Sequence, residues 1–297
     1  MTYRDKHVST DAPAQSGRKR RRRLPRWADR LITMVVILIG VALMVWPWVL
    51  DRFESAGVFN QIDAVSSTVD ALPEQERERI LLQARSYNEL LAGEDSKLPI
   101  DQVVPYEEQL VFDRDPMMSW VEIPSINVSM PIYHGTGEEA LMAGVGHLEG
   151  TSLPVGGASS HCVLTAHSGM RNLSMFDDIH ALGEDDLVLL HTMNQTLAYR
   201  VTGSEVVWPD EVESLAIEPG ADKLTLVTCT PYGVNDHRLL VHCERTEYVE
   251  QQVAEQKSLL ARHWGKREIA VLIVAAAMAL ILLDVVVHRL RRRRGDG

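Results

Sequence analysis

Leu31 to Leu50 runs for twenty residues without a charge and closes in Trp46-Pro47-Trp48. Ile269 to Val287 is a second apolar run, interrupted only by Asp284. At about 1.5 Å per helical residue, twenty residues span the ~30 Å hydrocarbon core of a bilayer, and tryptophans near one end suit its interface. Basic blocks abut both runs: Lys19 to Arg23 with Arg26 before the first, Arg289 and Arg291 to Arg294 after the second. Lysine and arginine beside membrane spans favour the cytoplasmic side, so both termini are expected inside and residues 51–267 outside. A cleaved signal peptide fits the first run less well, because it is longer than a usual signal core and no small-residue cleavage site precedes Asp51. A buried core helix is the plainer alternative for the second, weakened by its length and the arginine block behind it. Asp284 lies near the cytoplasmic end, where its carboxylate can reach the interface rather than mark a site within the membrane.

The charge of the whole chain, −11, averages two cationic tails and an acidic middle. Between residues 51 and 267 there are 35 acidic and 15 basic side chains, a difference of −20. A body this acidic is a poor nucleic-acid binder, because neutralising phosphates requires Lys and Arg. The basic tails each adjoin an apolar run, which favours a membrane surface over nucleic acid. At 297 residues the chain can hold one sizeable core or two small ones plus extensions.

Residues 51–95 read as helical: Ile62, Val65 and Val69 recur at helical spacing, and Pro73-Glu74-Gln75-Glu76 starts a second helix before Ile80, Leu81 and Leu82. Residues 92–119, with Pro99, Pro105 and Pro116, read mostly as loop. From Trp120 the period changes. Residues 121–124 and 126–133 alternate as strands, with Pro124 and Pro131 at edges or bends, and Glu138 to Ala143 suggests a short helix. Further strands are expected at 161–166, 186–191, 196–208, 224–229 and 238–243, and residues 250–264 as a helix or linker. Short strands of this number with short helices between them fit a closed or nearly closed barrel.

The candidate chemistry lies in TLVTCTPYGVNDHR, residues 225–238. A β-branched run ends in Cys229, a turn follows at Thr230 to Gly233, and Arg238 opens the next apolar run. His167 closes the run His161-Cys162-Val163-Leu164-Thr165-Ala166. A thiol is a poor nucleophile until ionised, and a neighbouring imidazolium or guanidinium favours the thiolate. His167 can supply the proton that a departing amine needs, and Arg238 can hold a carbonyl or a developing oxyanion. A Cys, a His and an Arg at strand ends suffice for acyl transfer through a thioester. A buried structural cysteine is the plainer reading of Cys229 taken alone.

Residues 225–229, with Arg238 and with His167 in TAHSG, resemble the sortases, cysteine transpeptidases on the outside of Gram-positive bacteria. The segments IPSINVSMPIYHGT at 123–136, GVGHLEGTSLPVGG at 144–157 and CTPYGVNDHRLLVHCER at 229–245 are particularly similar to class C, the pilin-polymerising sortases. A second, carboxyl-terminal anchor is typical of that class too. The resemblance implies a mainly β fold, a sortase-type closed barrel with short helices, an N-terminal helical extension and a transmembrane helix at each end. In order, the chain would hold a cytoplasmic tail (1–30), a span (31–50), a helical extension with a possible lid (51–119), the catalytic barrel (120–249), a linker (250–268), a second span (269–288) and a tail (289–297). Cys229 would attack the threonine carbonyl of an LPxTG-like sorting signal, helped by His167 as acid/base and by Arg238. The acyl group would then pass to a pilin lysine. A housekeeping sortase serving peptidoglycan and a non-catalytic surface scaffold are the alternatives.

The resemblance implies no cofactor, and pilin subunits and the membrane as partners. Class C sortases usually carry an Asp-Pro-aromatic lid upstream of the barrel. Here Asp95-Ser96 lacks both proline and aromatic, and Asp115-Pro116 is followed by Met117, so Asp95 and Asp115 are the lid candidates. Cys162 and Cys243 are expected as two buried thiols, although an extracellular disulfide is open. His134, His147, His161, His237 and His242 show no metal-ligand spacing. Met170, Met175 and Phe176 suit a substrate groove or the core equally, and Thr228 and Pro231 are expected to shape the site.

Overall fold

A computed structural model describes residues 26–112, 115–168, 175–231 and 233–262, with three positions between 273 and 277. The first 25 residues, Met170 and nearly all of the second apolar run lie outside the described residues. Two compact units are present, residues 1–44 and residues 45–297. What is described of the first is the opening of helix α1 (Arg26–Ala71), which contains the first apolar run and continues into the second unit. Among the described residues no helix is long and apolar enough to cross a membrane.

The larger unit is a closed eight-stranded barrel, mainly β as the strand spacing predicts. Its strands are β1 (Met117–Ile123), β2 (Val128–His134), β3 (Val145–His147), β4 (Ser160–Thr165), β5 (Leu187–Thr192), β6 (Gln195–Val207), β7 (Asp222–Thr230) and β8 (His237–Thr246). Around the barrel they run β1-β2-β3-β4-β7-β8-β6-β5, and β1 pairs with β5 to close it. Two of the neighbouring pairs, β2 with β3 and β4 with β7, are parallel. Three-residue β3 is absent from the sequence reading, because Val145-Gly146-His147 has no alternation to show. Pro131 sits one residue before β2 begins to pair with β3, so its missing N–H interrupts no ladder there. Pro124 opens a 3-10 turn between β1 and β2. Helix α3 (Glu138–Ala143) has the bounds that the sequence suggests.

Helix α2 (Glu74–Leu91) follows Pro73. Ile62, Val65 and Val69 of α1 join Ile80, Leu81 and Ala84 of α2 in the same apolar core as Val121, Ile132, Leu164, Leu190 and Leu226 of the strands. Residues 92–116 are mostly loop with two 3-10 turns, Ile100–Gln102 and Tyr106–Glu108. Helix α4 (Glu250–Arg262) lays Val253 on Leu187, Leu189 and Ala198.

Polar side chains fasten the extension to the barrel. The Leu153 N–H donates to Asn88 Oδ1 at 2.8 Å, and Asn88 Nδ2 donates to the Leu153 carbonyl at 3.1 Å. The buried amide of Asn88 thus replaces a strand neighbour for Leu153. His147 is wholly buried; its Nε2 lies 2.9 Å from the Ser152 carbonyl, which can only accept, so Nε2 carries the hydrogen. The Tyr106 hydroxyl lies 2.9 Å from the bare Nδ1 and 3.1 Å from the His147 carbonyl, two acceptors that share its hydrogen, and its oxygen accepts the Gly135 N–H at 2.9 Å. Burial lowers the pKa of His147 from 6.5 to about 4, so the ring is neutral in the fold.

Two outcomes follow from these contacts. Asn88→Ala leaves a buried N–H and a buried carbonyl unpaired and should cost about 2–4 kcal/mol in urea unfolding; a loss within about 0.5 kcal/mol would show that Asn88 does not hold α2 in place. His147 binds a proton more readily unfolded than folded. Its contribution is complete above the unfolded value and is lost as pH falls through the folded value. Stability should therefore drop between pH 6.5 and about 4, by roughly 3 kcal/mol from this residue. A His147→Gln chain should show a shallower drop, and equal slopes in both would exclude the assignment.

Candidate active site

Alternation decides which face of the sheet carries the chemistry. Leu224 and Leu226 of β7 point into the main core, whereas Val227 packs on the other face with Val163 of β4 and Leu240 of β8. Cys229 follows Val227 by two residues and shares this outer face. Arg238 is the cross-strand partner of Cys229, directly opposite on β8. Facing residues of an antiparallel pair have Cβ atoms about 5 Å apart, so thiol and guanidinium belong to one patch. Both are half-buried.

His167 reaches the same patch by a different route. The parallel pairing of β4 and β7 ends at Thr165 opposite Val227, and the chain stays attached beyond it. The Ala166 N–H donates to the Val227 carbonyl at 3.1 Å, and Thr228 Oγ1 donates to the Ala166 carbonyl at 2.9 Å. Ser168 Oγ then donates to the Cys229 carbonyl at 2.7 Å. His167 is held between Ala166 and Ser168, both tied to β7, and its carbonyl accepts the Phe176 N–H at 3.2 Å. Ala166 lies in the core, so alternation turns His167 outward. The structure thus brings Cys229, His167 and Arg238 together at the ends of three adjacent strands. Thr228 is buried and joins the end of β4 to β7. Ser168 escaped the sequence reading, since a serine after a histidine carries no signal of its own.

Arg238 Nη1 donates to the carbonyls of His237 at 2.9 Å and Asn235 at 3.2 Å, which orients the guanidinium from its own turn. Among the described residues it has no carboxylate partner, so its remaining N–H groups can serve an incoming oxygen. Beside it the Trp208 ring lies on His237, with centroids 4.1 Å apart. The loop of residues 208–221 leaves the sheet here and returns over the outer face, where Leu215 packs on Val163, Val227 and Leu240.

The other sequence candidates lie elsewhere. Asp115 accepts from Gln61 Nε2 at 3.1 Å and from the Met117 N–H at 3.0 Å, which ties it to α1 and the start of β1. Asp95 is exposed after α2. Its neighbour Glu94 lines a 560 Å³ cavity with Ser160 and Asp222, at the strand ends opposite Thr165 and Cys229. Met175 and Phe176 are core residues. Cys162 and Cys243 are free and buried, and burial pushes both thiols up in pKa. They flank Leu224 on either side of β7. Two strand spacings, about 9–10 Å, exceed the ~7 Å that a disulfide spans. Among the described residues no three His, Cys, Asp or Glu side chains gather as metal ligands.

Comparison with known proteins is consistent with this geometry. A family model described as Sortase domain matches residues 121–246. Sortase A of Streptococcus agalactiae serotype III is 28% identical over 149 residues, which is 49% of this chain and 60% of that protein. The chain thus spans less than two thirds of that relative. Streptococcus agalactiae sortase C1 is 40% identical with a TM-score of 0.60, covering 66% of this chain and 98% of that one. Clostridium perfringens sortase C, solved with the C-terminal cell wall sorting motif, is 38% identical with a TM-score of 0.56, covering 64% of this chain and 100% of that one.

The burial of the three cysteines sets an expected labelling pattern. Iodoacetamide should modify one thiol per native chain, mapped to Cys229 by peptide mass spectrometry, and three after denaturation. Labelling of Cys162 or Cys243 at a comparable native rate would contradict the placement of these groups.

Proposed function

The chain belongs to the sortase family, and from that membership we propose a class C transpeptidase that joins pilin subunits. The supporting observation is the cluster of Cys229, His167 and Arg238 on one outer face, clamped by the Thr228 and Ser168 hydrogen bonds. The identities also lean this way: 40% to a sortase C1 structure against 28% to a curated sortase A.

Cys229 as thiolate adds to the threonine carbonyl of an LPxTG-like signal, forming a C–S bond and a tetrahedral oxyanion. Arg238, which has no carboxylate partner among the described residues, donates to that oxygen. Collapse breaks the Thr–Gly C–N bond, and His167 delivers the proton that the leaving amine requires. A pilin lysine amine then adds to the thioester carbonyl and gives its proton to the now neutral His167, the C–S bond breaks, and an isopeptide bond forms as the thiolate returns. No redox change or cofactor enters the balance. In this reading residues 31–50 and 269–288 anchor the chain in the membrane, with both tails cytoplasmic and the barrel outside.

Cys229→Ala should abolish high-molecular-weight pilin polymers while protein abundance holds, and unchanged ladders would defeat the assignment. Mass spectrometry of the product linkage separates a pilin lysine from a peptidoglycan amine, the acceptor that a housekeeping sortase would use.

A further inference from the structure

Four hydrogen-bonding contacts cross the outer face beneath the 208–221 loop, from β4 through β7 and β8 to β6. His161 Nδ1 lies 3.0 Å from the Ala216 carbonyl in the loop, and His161 Nε2 lies 2.8 Å from Thr225 Oγ1. Thr225 Oγ1 lies 3.0 Å from His242 Nδ1, and His242 Nε2 lies 3.1 Å from Glu205 Oε1. The Ser214 side chain in the loop and His242 hold the Glu205 carboxyl below the usual range. The row meets the loop through the Ala216 carbonyl.

Counting hydrogens shows that this row is one short. Each link needs one hydrogen, so the chain needs four. A neutral His161, Thr225 and a neutral His242 supply one each, and both terminal groups, a carbonyl and a carboxylate, can only accept. Every link is made only when one imidazole carries a second hydrogen. Burial disfavours a charged His161, and the other imidazole of the row, His242, faces the Glu205 carboxylate. Without a second hydrogen on either ring, one link must fail. A bond to a carboxylate is about twice as strong as a bond to a neutral carbonyl. His242 therefore keeps its hydrogen towards Glu205, Thr225 and His161 reverse, and the Ala216 carbonyl is left facing a bare nitrogen. Among the described residues the other charges facing the row are Lys223 on β7 and Glu218 in the loop; they pair with each other and act on His161 in opposite directions.

We propose that His161, Thr225, His242 and Glu205 are positioning residues that hold the 208–221 loop against the sheet beside Cys229 only while their row carries one added proton. This rests on the reading of Cys229 as the acyl-transfer nucleophile. The loop starts at Trp208, next to Val207, the cross-strand partner of Arg238, and Leu215 covers the face that leads to Cys229. It forms one wall of any groove along that face, and loosening it weakens peptide binding rather than bond making.

The test uses the full-length chain in detergent micelles between about pH 5 and pH 9, which brackets an imidazole. Hydrogen exchange of residues 208–221, corrected for its intrinsic pH dependence, should show protection at the acidic end that is lost at the alkaline end. Ring ¹⁵N shifts should show His161 with its hydrogen on Nδ1 at the acidic end. The deciding variant is Glu205→Gln, whose amide N–H supplies the missing hydrogen, so the loop should stay protected throughout. Thr225→Val uncouples the two rings, so His161 can give its one hydrogen to Ala216 at every pH and the pH step in protection should vanish. With a fluorescent LPETG peptide, KM should rise roughly fivefold with pH in the unaltered chain, the worth of about one hydrogen bond, and stay level in Glu205→Gln. Loop protection that ignores pH, or a Glu205→Gln chain that follows the unaltered one, overturns the proposal. If no variant forms a Cys229 thioester, the acyl-transfer reading fails, while the exchange and ¹⁵N results still decide the loop.

Discussion

The register between β7 and β8 is the constraint on which the rest depends. Cys229 stands opposite Arg238 only in this pairing, and a slip of one residue would send every side chain of β8 to the other face. Both faces of β7 resist that slip. Leu224 and Leu226 fill the barrel interior, and Val227 is packed under the outer loop with Leu215, so Leu224 to Thr228 are all buried. A strand buried on both sides reads as a continuous apolar run, which is how residues 224–229 present themselves in the sequence. The pairing that sets thiol against guanidinium is thus guaranteed by burial, not by any attraction between the two groups.

His167 depends on a less local device. The pairing of β4 with β7 is parallel and joins segments some sixty residues apart, for example Leu164 with Leu226. Nothing in the local pattern announces such a pair. The Thr228 and Ser168 hydroxyls extend the attachment past the end of the ladder, so the backbone at His167 is fixed by its neighbours' bonds.

Much of the fold was legible because its signals are short-range. Alternation gave the long strands, the Glu138 to Ala143 pattern gave α3, and Ile62, Val65 and Val69 marked the buried face of α1. The Cys-turn-Arg spacing marks a hairpin, and the structure pairs Cys229 with Arg238 across it. What escaped was carried by tertiary partners. Asn88 reads as a surface residue on a polar helix and becomes a buried partner of Leu153. His161 and His242 read as unrelated histidines, yet one threonine on the intervening strand joins them. Asp95 and Asp115 are lid candidates by resemblance alone; in the structure Asp115 accepts from the side chain of Gln61 and Asp95 is exposed after α2.

A barrel with a filled interior has no inside room for a peptide. Tyr199, Ile132, Leu164 and Leu226 occupy that space, so an extended substrate must lie on the outer face, where flat strands offer a floor but no walls. Walls have to come from loops, and loops lack the ladder bonds that fix strands. In this chain the 208–221 loop recovers such a bond at Ala216, from His161 at one end of a row of side chains that crosses four strands. Because that row ends in two acceptors, its completion depends on a proton that the fold itself does not supply. The strand registers fix the placement of Cys229 and Arg238, while the seating of the loop beside them rests on hydrogens that the row must gain.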